Sequence, residues 1–175
     1  MKRILIITGC ILLSLSIIMC KKSKPKNNAT CTTCTGTPVS HIADSAGVSY
    51  FVPTAFTPNG DGINDIFGLV YYNNIDTNSS AITIWDINGT KVFAGKITQR
   101  WEGIDMNGKT CGAGQYPVYF ELKTVAGTTI NFCACVTLLK YTGNCIKTNG
   151  VTYYFWDQLN PATGIVYPTN EVLCP

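Results

Sequence analysis

Nine cysteines are the side chains in this 175-residue sequence with the clearest potential for chemistry. A thiol can be acylated, oxidised to a disulfide or bound to zinc, and the cellular compartment decides between these fates. Lys2 and Arg3 precede an apolar run from Ile4 to Met19, which ends abruptly at Cys20. A basic start followed by such a run is typical of a secretory signal peptide. We therefore expect an exported chain in which residues 1–19 are the signal peptide.

Cys20 stands where bacterial lipoproteins carry their acylated cysteine, and Ile17-Ile18-Met19-Cys20 resembles the end of a lipoprotein signal. Met19 departs from that pattern, since a small residue is usual there. Ile7-Thr8-Gly9-Cys10 fits the pattern better in letters but follows a shorter apolar run. An uncleaved transmembrane anchor is the alternative, although a run of about 16 residues is short for the roughly 20 that a membrane helix needs. We expect lipid attachment at Cys20, on the periplasmic or the surface face of the outer membrane.

Residues 20–47 have the composition of a flexible tether. Their first part, KKSKPKNNAT, is basic, contains Pro and Asn, and lacks large apolar side chains. Six of the thirteen Lys and Arg precede residue 27, so the rest of the chain is net acidic. A nucleic-acid partner is excluded, because such binding needs a basic surface. Asp44-Ser45-Ala46 resembles the Bacteroidetes O-glycosylation motif, which makes Ser45 a candidate sugar site.

Seven cysteines remain beyond the signal peptide and the predicted lipid site, and export favours disulfides for them. The odd number leaves at least one free or bonded to another chain. Cys133 and Cys135 share one face of a predicted strand, with Cα atoms about 6.6 to 7 Å apart, so each should bond another partner. The disulfide candidates are Cys31, Cys34, Cys111, Cys133, Cys135, Cys145 and Cys174.

Three pairings or ligand sets stay open at this point. Cys145 and Cys174 bracket a predicted C-terminal hairpin, and a bond between them would close it. Cys111 lies at the entry to the strand beside Cys133 and Cys135 and could reach either of them. The alternative to disulfides is a zinc site built from Cys31-Thr32-Thr33-Cys34 and Cys133-Ala134-Cys135.

Oxygen-bearing side chains cluster in Thr57-Pro58-Asn59-Gly60-Asp61-Gly62-Ile63-Asn64-Asp65. Glycines permit positive φ, and Asn and Asp bond their own backbone, so a rigid turn is expected. The alternative is calcium bound by Asn59, Asp61, Asn64 and Asp65, although the spacing differs from that of the EF-hand loop. Paired carboxylates can also serve acid and base catalysis, but the single histidine, His41, lies in the tether. We expect no catalytic residues, no cofactor and no confident metal site.

The elements that position these residues are strands. From Tyr50 onward, short apolar runs alternate with turn residues, and no helical period is sustained. Asn88-Gly89 separates two β-prone segments and predicts a tight hairpin. Val118, Phe120 and Leu122 alternate with polar positions and predict a half-buried strand, paired with the segment 129–139. An all-β antiparallel sandwich follows from several hairpins at this spacing.

Four segments carry a family resemblance. They are FVPTAFTPNGDGINDIF at 51–67, AITIWDINGTKVFAG at 81–95, RWEGIDMNGKTCGAGQYPVYFEL at 100–122 and VTLLK at 136–140. They resemble the gliding-motility-associated C-terminal domain of Bacteroidetes, which is also the type B sorting signal of type IX secretion. The resemblance implies an immunoglobulin-like sandwich over residues 48–140.

Residues 141–175, the C-terminal extension, follow the last strand of that resemblance, whereas the family domain usually ends its polypeptide. Val151–Asp157 is β-prone, and residues 165–167 could return beside it as a disulfide-linked hairpin. Burial against the sandwich is expected, with an exposed aromatic face as the alternative. Such a face would bind an envelope protein or a surface glycan through Tyr153, Tyr154, Phe155 and Trp156.

These observations predict a non-enzymatic, lipid-anchored cell-envelope protein, held on the membrane by its N-terminal lipid, that serves as a binding or structural module. The alternative is a secreted cargo whose domain is a type IX sorting signal.

Overall fold

The computed structural model describes residue 31 and residues 42–43, 47–140, 145–160 and 162–175. The predicted signal peptide, Cys20, Cys34 and Ser45 lie outside these residues. The strands are β1 Ile42–Ala43, β2 Ser49–Phe51, β3 Ala55–Phe56, β4 Val70–Tyr72, β5 Ala81–Trp85, β6 Lys91–Lys96, β7 Gly114–Lys123, β8 Thr129–Leu138, β9 Leu159–Asn160 and β10 Ile165–Val166. The described ranges contain no helix long and apolar enough to span a membrane.

Two sheets form an all-β, immunoglobulin-like sandwich, as predicted. The larger sheet has the order β3-β8-β7-β5-β6 and the smaller one β1-β2-β4. β9 and β10 make a separate antiparallel pair in the C-terminal extension. The expectation of a purely antiparallel sandwich is wrong at one edge, because β3 runs parallel to β8, with Ala55 opposite Thr137 and Phe56 opposite Leu138. Strands so distant in sequence need no tight turn, so a parallel pairing is possible there.

The hairpin predicted at Asn88-Gly89 joins β5 to β6. Oδ1 of Asp86 accepts hydrogen bonds from the backbone N–H of Asn88 at 2.9 Å and of Thr90 at 2.7 Å. Gly89 has φ +77°, which a residue with a side chain rarely adopts. The predicted hairpin is present, but its turn is centred on Ile87 and Asn88, since the N–H of Gly89 donates to the carbonyl of Asp86 at 3.0 Å and Asn88 itself has no positive φ.

β7 and β8 form the longest pairing, with ten residues in register on each strand. Val118, Phe120 and Leu122 are buried, and Ala134, Val136 and Leu138 bury the same face of β8. Cys133 and Cys135 are half-buried on the opposite face. The alternation predicted for both strands is confirmed.

Trp101 lies at the centre of the core and is 1% exposed. Its ring centroid is 5.1 Å from that of Phe56 and 4.9 Å from that of Tyr116, and its Nε1–H donates to the carbonyl of Ile104 at 2.9 Å. Phe67 exchanges two backbone hydrogen bonds with Trp101. Phe56 and Phe67 flank residues 57–65, so both ends of that segment are fixed on one tryptophan.

Candidate functional site

Residues 57–65, here called the signature loop, fold around the carboxylate of Asp65. Its Oδ1 accepts hydrogen bonds from the N–H of Asn59 at 2.9 Å and of Gly60 at 2.7 Å, and its Oδ2 accepts from Gly62 at 2.7 Å. The two glycines have φ near +85°, which orients their N–H groups inward. One carboxylate thus satisfies three backbone donors.

A second set of bonds links Asn59 to Asp61. The N–H of Asp61 donates to Oδ1 of Asn59 at 3.0 Å, and Nδ2 of Asn59 donates to Oδ2 of Asp61 at 3.0 Å. Oδ1 of Asp61 accepts from the N–H of Ile63 at 2.8 Å. Oxygens of both carboxylates are therefore engaged with the loop itself, which favours the turn role over calcium binding. Within the described ranges, no group of three His, Cys, Asp or Glu side chains is placed to hold a metal ion.

The C-terminal extension lies on the signature loop. Asn64 is buried, and its Nδ2 donates to Oε2 of Glu171 at 3.1 Å. Its Oδ1 accepts from the N–H of Asp157 at 3.3 Å. The carboxylate of Asp157 in turn accepts from the N–H of Asn170 at 2.7 Å. Asn64, predicted as a turn or calcium residue, therefore connects the loop to two parts of the extension.

The extension also covers the outer edge of β3. The carbonyl of Tyr154 accepts hydrogen bonds from the N–H of Thr54 at 2.7 Å and of Ala55 at 3.3 Å, and its own N–H donates to Oγ1 of Thr54 at 2.8 Å. Sheet edges expose unpaired backbone groups, and these bonds satisfy two of them. The predicted C-terminal hairpin is present as β9 and β10, with its return strand at Ile165–Val166. Its first strand is Leu159–Asn160, so the strand predicted at Val151–Asp157 is wrong, and that segment bonds to Thr54 and Ala55 through Tyr154.

The aromatic residues of the extension have different surroundings. Phe155 is fully buried, so it is removed from the candidate partner-binding set. Tyr153, Tyr154 and Trp156 are half-buried. The guanidinium carbon of Arg100 lies 4.5 Å from the centroid of a Trp156 ring, a cation–π contact that joins the extension to the domain.

Residues 50–133 match a family model described as the CHU_C type IX secretion signal domain. Residues 50–133 are similar to that domain and are here called the CHU_C domain. The match includes the signature loop, the hairpin β5–β6, β7 and the first half of β8, and it confirms the family resemblance. The family indicates a cell-envelope or secreted protein, and a secretion-signal domain is a non-enzymatic module.

The other comparisons are more distant. The solved structure of CopC from Methylosinus trichosporium OB3b has a TM-score of 0.39 and 15% identity, covering 53% of this chain and 89% of that one. No functional conclusion follows from so distant a likeness. No curated protein matches the sequence significantly.

Several cysteines in and around the CHU_C domain form disulfides. Cys31 is bonded to Cys135, with Cα atoms 5.5 Å apart, and Cys145 is bonded to Cys174, with Cα atoms 5.0 Å apart. Cys133 is also in a disulfide. The zinc alternative is therefore wrong, because these sulfurs are bonded to sulfur.

Cys111 has a free, buried thiol, so the pairing with Cys133 or Cys135 that the sequence left open is not formed. Both of those sulfurs are already bonded. Burial raises the pKa of the Cys111 thiol, and the carboxylate of Asp105 raises it further. The thiol therefore stays protonated and a poor nucleophile at neutral pH.

Sequence reasoning missed Thr54, Asp157 and Glu171 as residues of this site. Each contributes through a partner about a hundred residues away in the chain. No local pattern marks such pairings. The one local signal is Glu171, an acidic residue that directly precedes the apolar residues Val172 and Leu173.

Replacing Asp65 by Ala is expected to lower the free energy of unfolding by about 1–2 kcal/mol, because three loop N–H groups lose a charged acceptor. Urea unfolding and the hydrogen exchange of residues 59–62 measure the effect. Asp65→Asn is the matched control, since it keeps one acceptor oxygen, and should lose about half as much. An Ala variant as stable as the wild type, with unchanged exchange, would contradict this role.

Glu171 makes the docking of the extension pH-dependent. Burial raises the pKa of this carboxyl, the Asp61 and Asp157 carboxylates raise it further, and hydrogen bonds from Asn64 and Thr57 oppose the rise. A raised pKa in the docked state means that docking is most stable at low pH and weakens as pH rises through that pKa. Glu171→Gln should therefore match the wild type in urea unfolding near about pH 4 and be more stable near about pH 8. Parallel pH profiles for the two proteins would rule out this effect.

Proposed function

We propose that this protein is a non-enzymatic outer-membrane lipoprotein, anchored through Cys20, in which the CHU_C domain is retained as a binding or structural module. Residues 20–47 then form the tether, residues 48–140 the domain and residues 141–175 the extension. Either face of the membrane is compatible with this arrangement.

The main support for this proposal is the disulfide between Cys31 and Cys135. It joins the tether to β8, and Cys31 lies eleven residues after Cys20. Eleven extended residues reach at most about 40 Å, so the bond keeps the sandwich near the membrane surface. A domain cleaved from its tether would remain attached through this bond, which supports retention over removal.

The partners of the module are envelope proteins or surface glycans in this proposal. Tyr153, Tyr154 and Trp156 supply half-buried aromatic surface, which suits a sugar ring or a protein side chain. Arg100 holds Trp156 in place, so that surface is ordered before a partner arrives.

The second candidate is a secreted cargo that uses the CHU_C domain as its type B sorting signal. The family match itself favours this candidate. It differs from the first in one testable respect, since a sorting signal that is removed after export leaves a mature protein without the domain.

The intact mass of the protein from its native membrane, with and without reduction, separates the two candidates. An acylated chain from Cys20 to Pro175 would support the anchored module, and reduction should add about two mass units per disulfide. A shorter, unlipidated species that lacks the region after Val48 would support the sorting signal. A full-length chain without lipid mass would refute the anchor.

A further inference from the structure

The C-terminal extension is closed into a ring by the disulfide between Cys145 and Cys174, which are 29 residues apart. Beside the disulfide, the N–H of Ile146 donates to the carbonyl of Val172 at 2.7 Å, and the N–H of Cys174 donates to the carbonyl of Ile146 at 2.9 Å. Cys145 follows β8 closely in sequence. The bond therefore holds the last residues of the described chain beside the end of the CHU_C domain.

The ring contains two residues that bond to the domain, Tyr154 and Glu171. Glu171 lies three residues before Cys174 and bonds to Asn64 of the signature loop. Tyr154, within the ring, bonds to the edge of β3. Phe155 is fully buried and Glu171 is 7% exposed, so these contacts exclude water. The segment that identifies the family is thus partly covered by residues of the same chain.

We propose that residues 145–175 are a disulfide-latched cover over the signature loop and the β3 edge, and that reduction of Cys145–Cys174 opens it. With the latch closed, the N–H groups of Thr54 and Ala55 and the side chain of Asn64 are hydrogen-bonded to the extension of the same chain. With the latch open, the ring becomes a free tail, and these groups are exposed to solvent. This role is independent of the lipid anchor.

The opening step is a thiol–disulfide exchange with a dithiol reductant. One thiolate of the dithiol attacks either Cys145 or Cys174 and forms a mixed disulfide while the other cysteine leaves as a thiolate. The second thiol of the reductant then displaces the bound cysteine. The reductant is oxidised to a disulfide, and two electrons and two protons arrive on the two cysteines. Both cysteines are only half-buried, so a reductant can reach them.

Hydrogen exchange of the full mature chain tests the cover. The variant Cys145→Ser/Cys174→Ser is compared with Cys31→Ser/Cys135→Ser, which loses a disulfide elsewhere and keeps the latch. Removing the closure of a 29-residue segment should raise the exchange of residues 51–67 by on the order of a hundredfold. Residues 81–96, in β5 and β6, report whether the sandwich stays folded. Loss of Cys31–Cys135 removes the closure of a 104-residue loop and can lower the stability of the whole sandwich, so the control variant should raise the exchange of residues 51–67 no more than that of residues 81–96.

Two results would overturn the latch. One is an unchanged rate for residues 51–67 in the Cys145→Ser/Cys174→Ser variant. The other is an equal rise for residues 51–67 and 81–96, which would mean global destabilisation. If that variant does not fold, the wild type is treated briefly with dithiothreitol, cleavage of Cys145–Cys174 is verified by mass, and the same two regions are compared. Selective exposure of residues 51–67 supports the cover, and its absence refutes it.

Discussion

Replacing Cys20 by Ser should reduce the incorporation of a labelled fatty acid to background in the native host. A serine hydroxyl is a far weaker nucleophile than a thiolate, so no acyl-bearing group is attached. Each buried methylene of a lipid chain contributes about 0.8 kcal/mol to membrane binding, so the loss of several chains removes essentially all of the anchoring free energy. Labelling with an alkyne fatty acid, followed by intact mass measurement, checks the result.

Cys10→Ser is the matched control, because Cys10 ends the other lipoprotein-like segment. It should leave the label unchanged. Label that persists after Cys20→Ser and disappears after Cys10→Ser would move the anchor to Cys10. Label that persists in both variants would refute attachment at either cysteine.

Replacing Trp101 by Ala is expected to lower the free energy of unfolding by about 3–5 kcal/mol, measured by urea unfolding. The change removes the ring that packs against Phe56 and Tyr116 and leaves the carbonyl of Ile104 without its indole donor. Because both flanks of the signature loop rest on Trp101, exchange of residues 57–65 should also rise in the native state.

The control for this prediction is Ile87→Ala, since Ile87 is 79% exposed. Its effect should stay within about 0.5 kcal/mol. If Trp101→Ala lowers the free energy of unfolding no more than the control, the core repacks to fill the cavity and the prediction is wrong.

The local parts of the fold were predictable, since their causes are local. Gly89 favours a tight turn through its own positive φ, and the alternation along β7 and β8 follows from the pleat of a strand. The same holds for the turn at Asp61 and Asp65, where side chains bond the neighbouring backbone.

The distant pairings were not predictable. Seven cysteines admit many connectivities, and Cys111 is unbonded because Cys133 and Cys135 have other partners. Likewise, the aromatic run at 153–156 has a strong strand propensity, but it forms no hairpin strand. Its Tyr154 carbonyl accepts hydrogen bonds from the N–H groups of Thr54 and Ala55 at the edge of the larger sheet. Such contacts depend on which chain segments meet, and a propensity does not encode that.

The bond between Cys31 and Cys135 also decides where mechanical load enters the protein. A pull on the chain that precedes Cys31 reaches β8 directly through the disulfide, without first passing through β1 and β2. β8 lies between β3 and β7 and shares ten register pairs with β7. Tension is therefore distributed over the long central pairing of the larger sheet, whereas a short edge strand attached to the same tether would be peeled away one residue at a time.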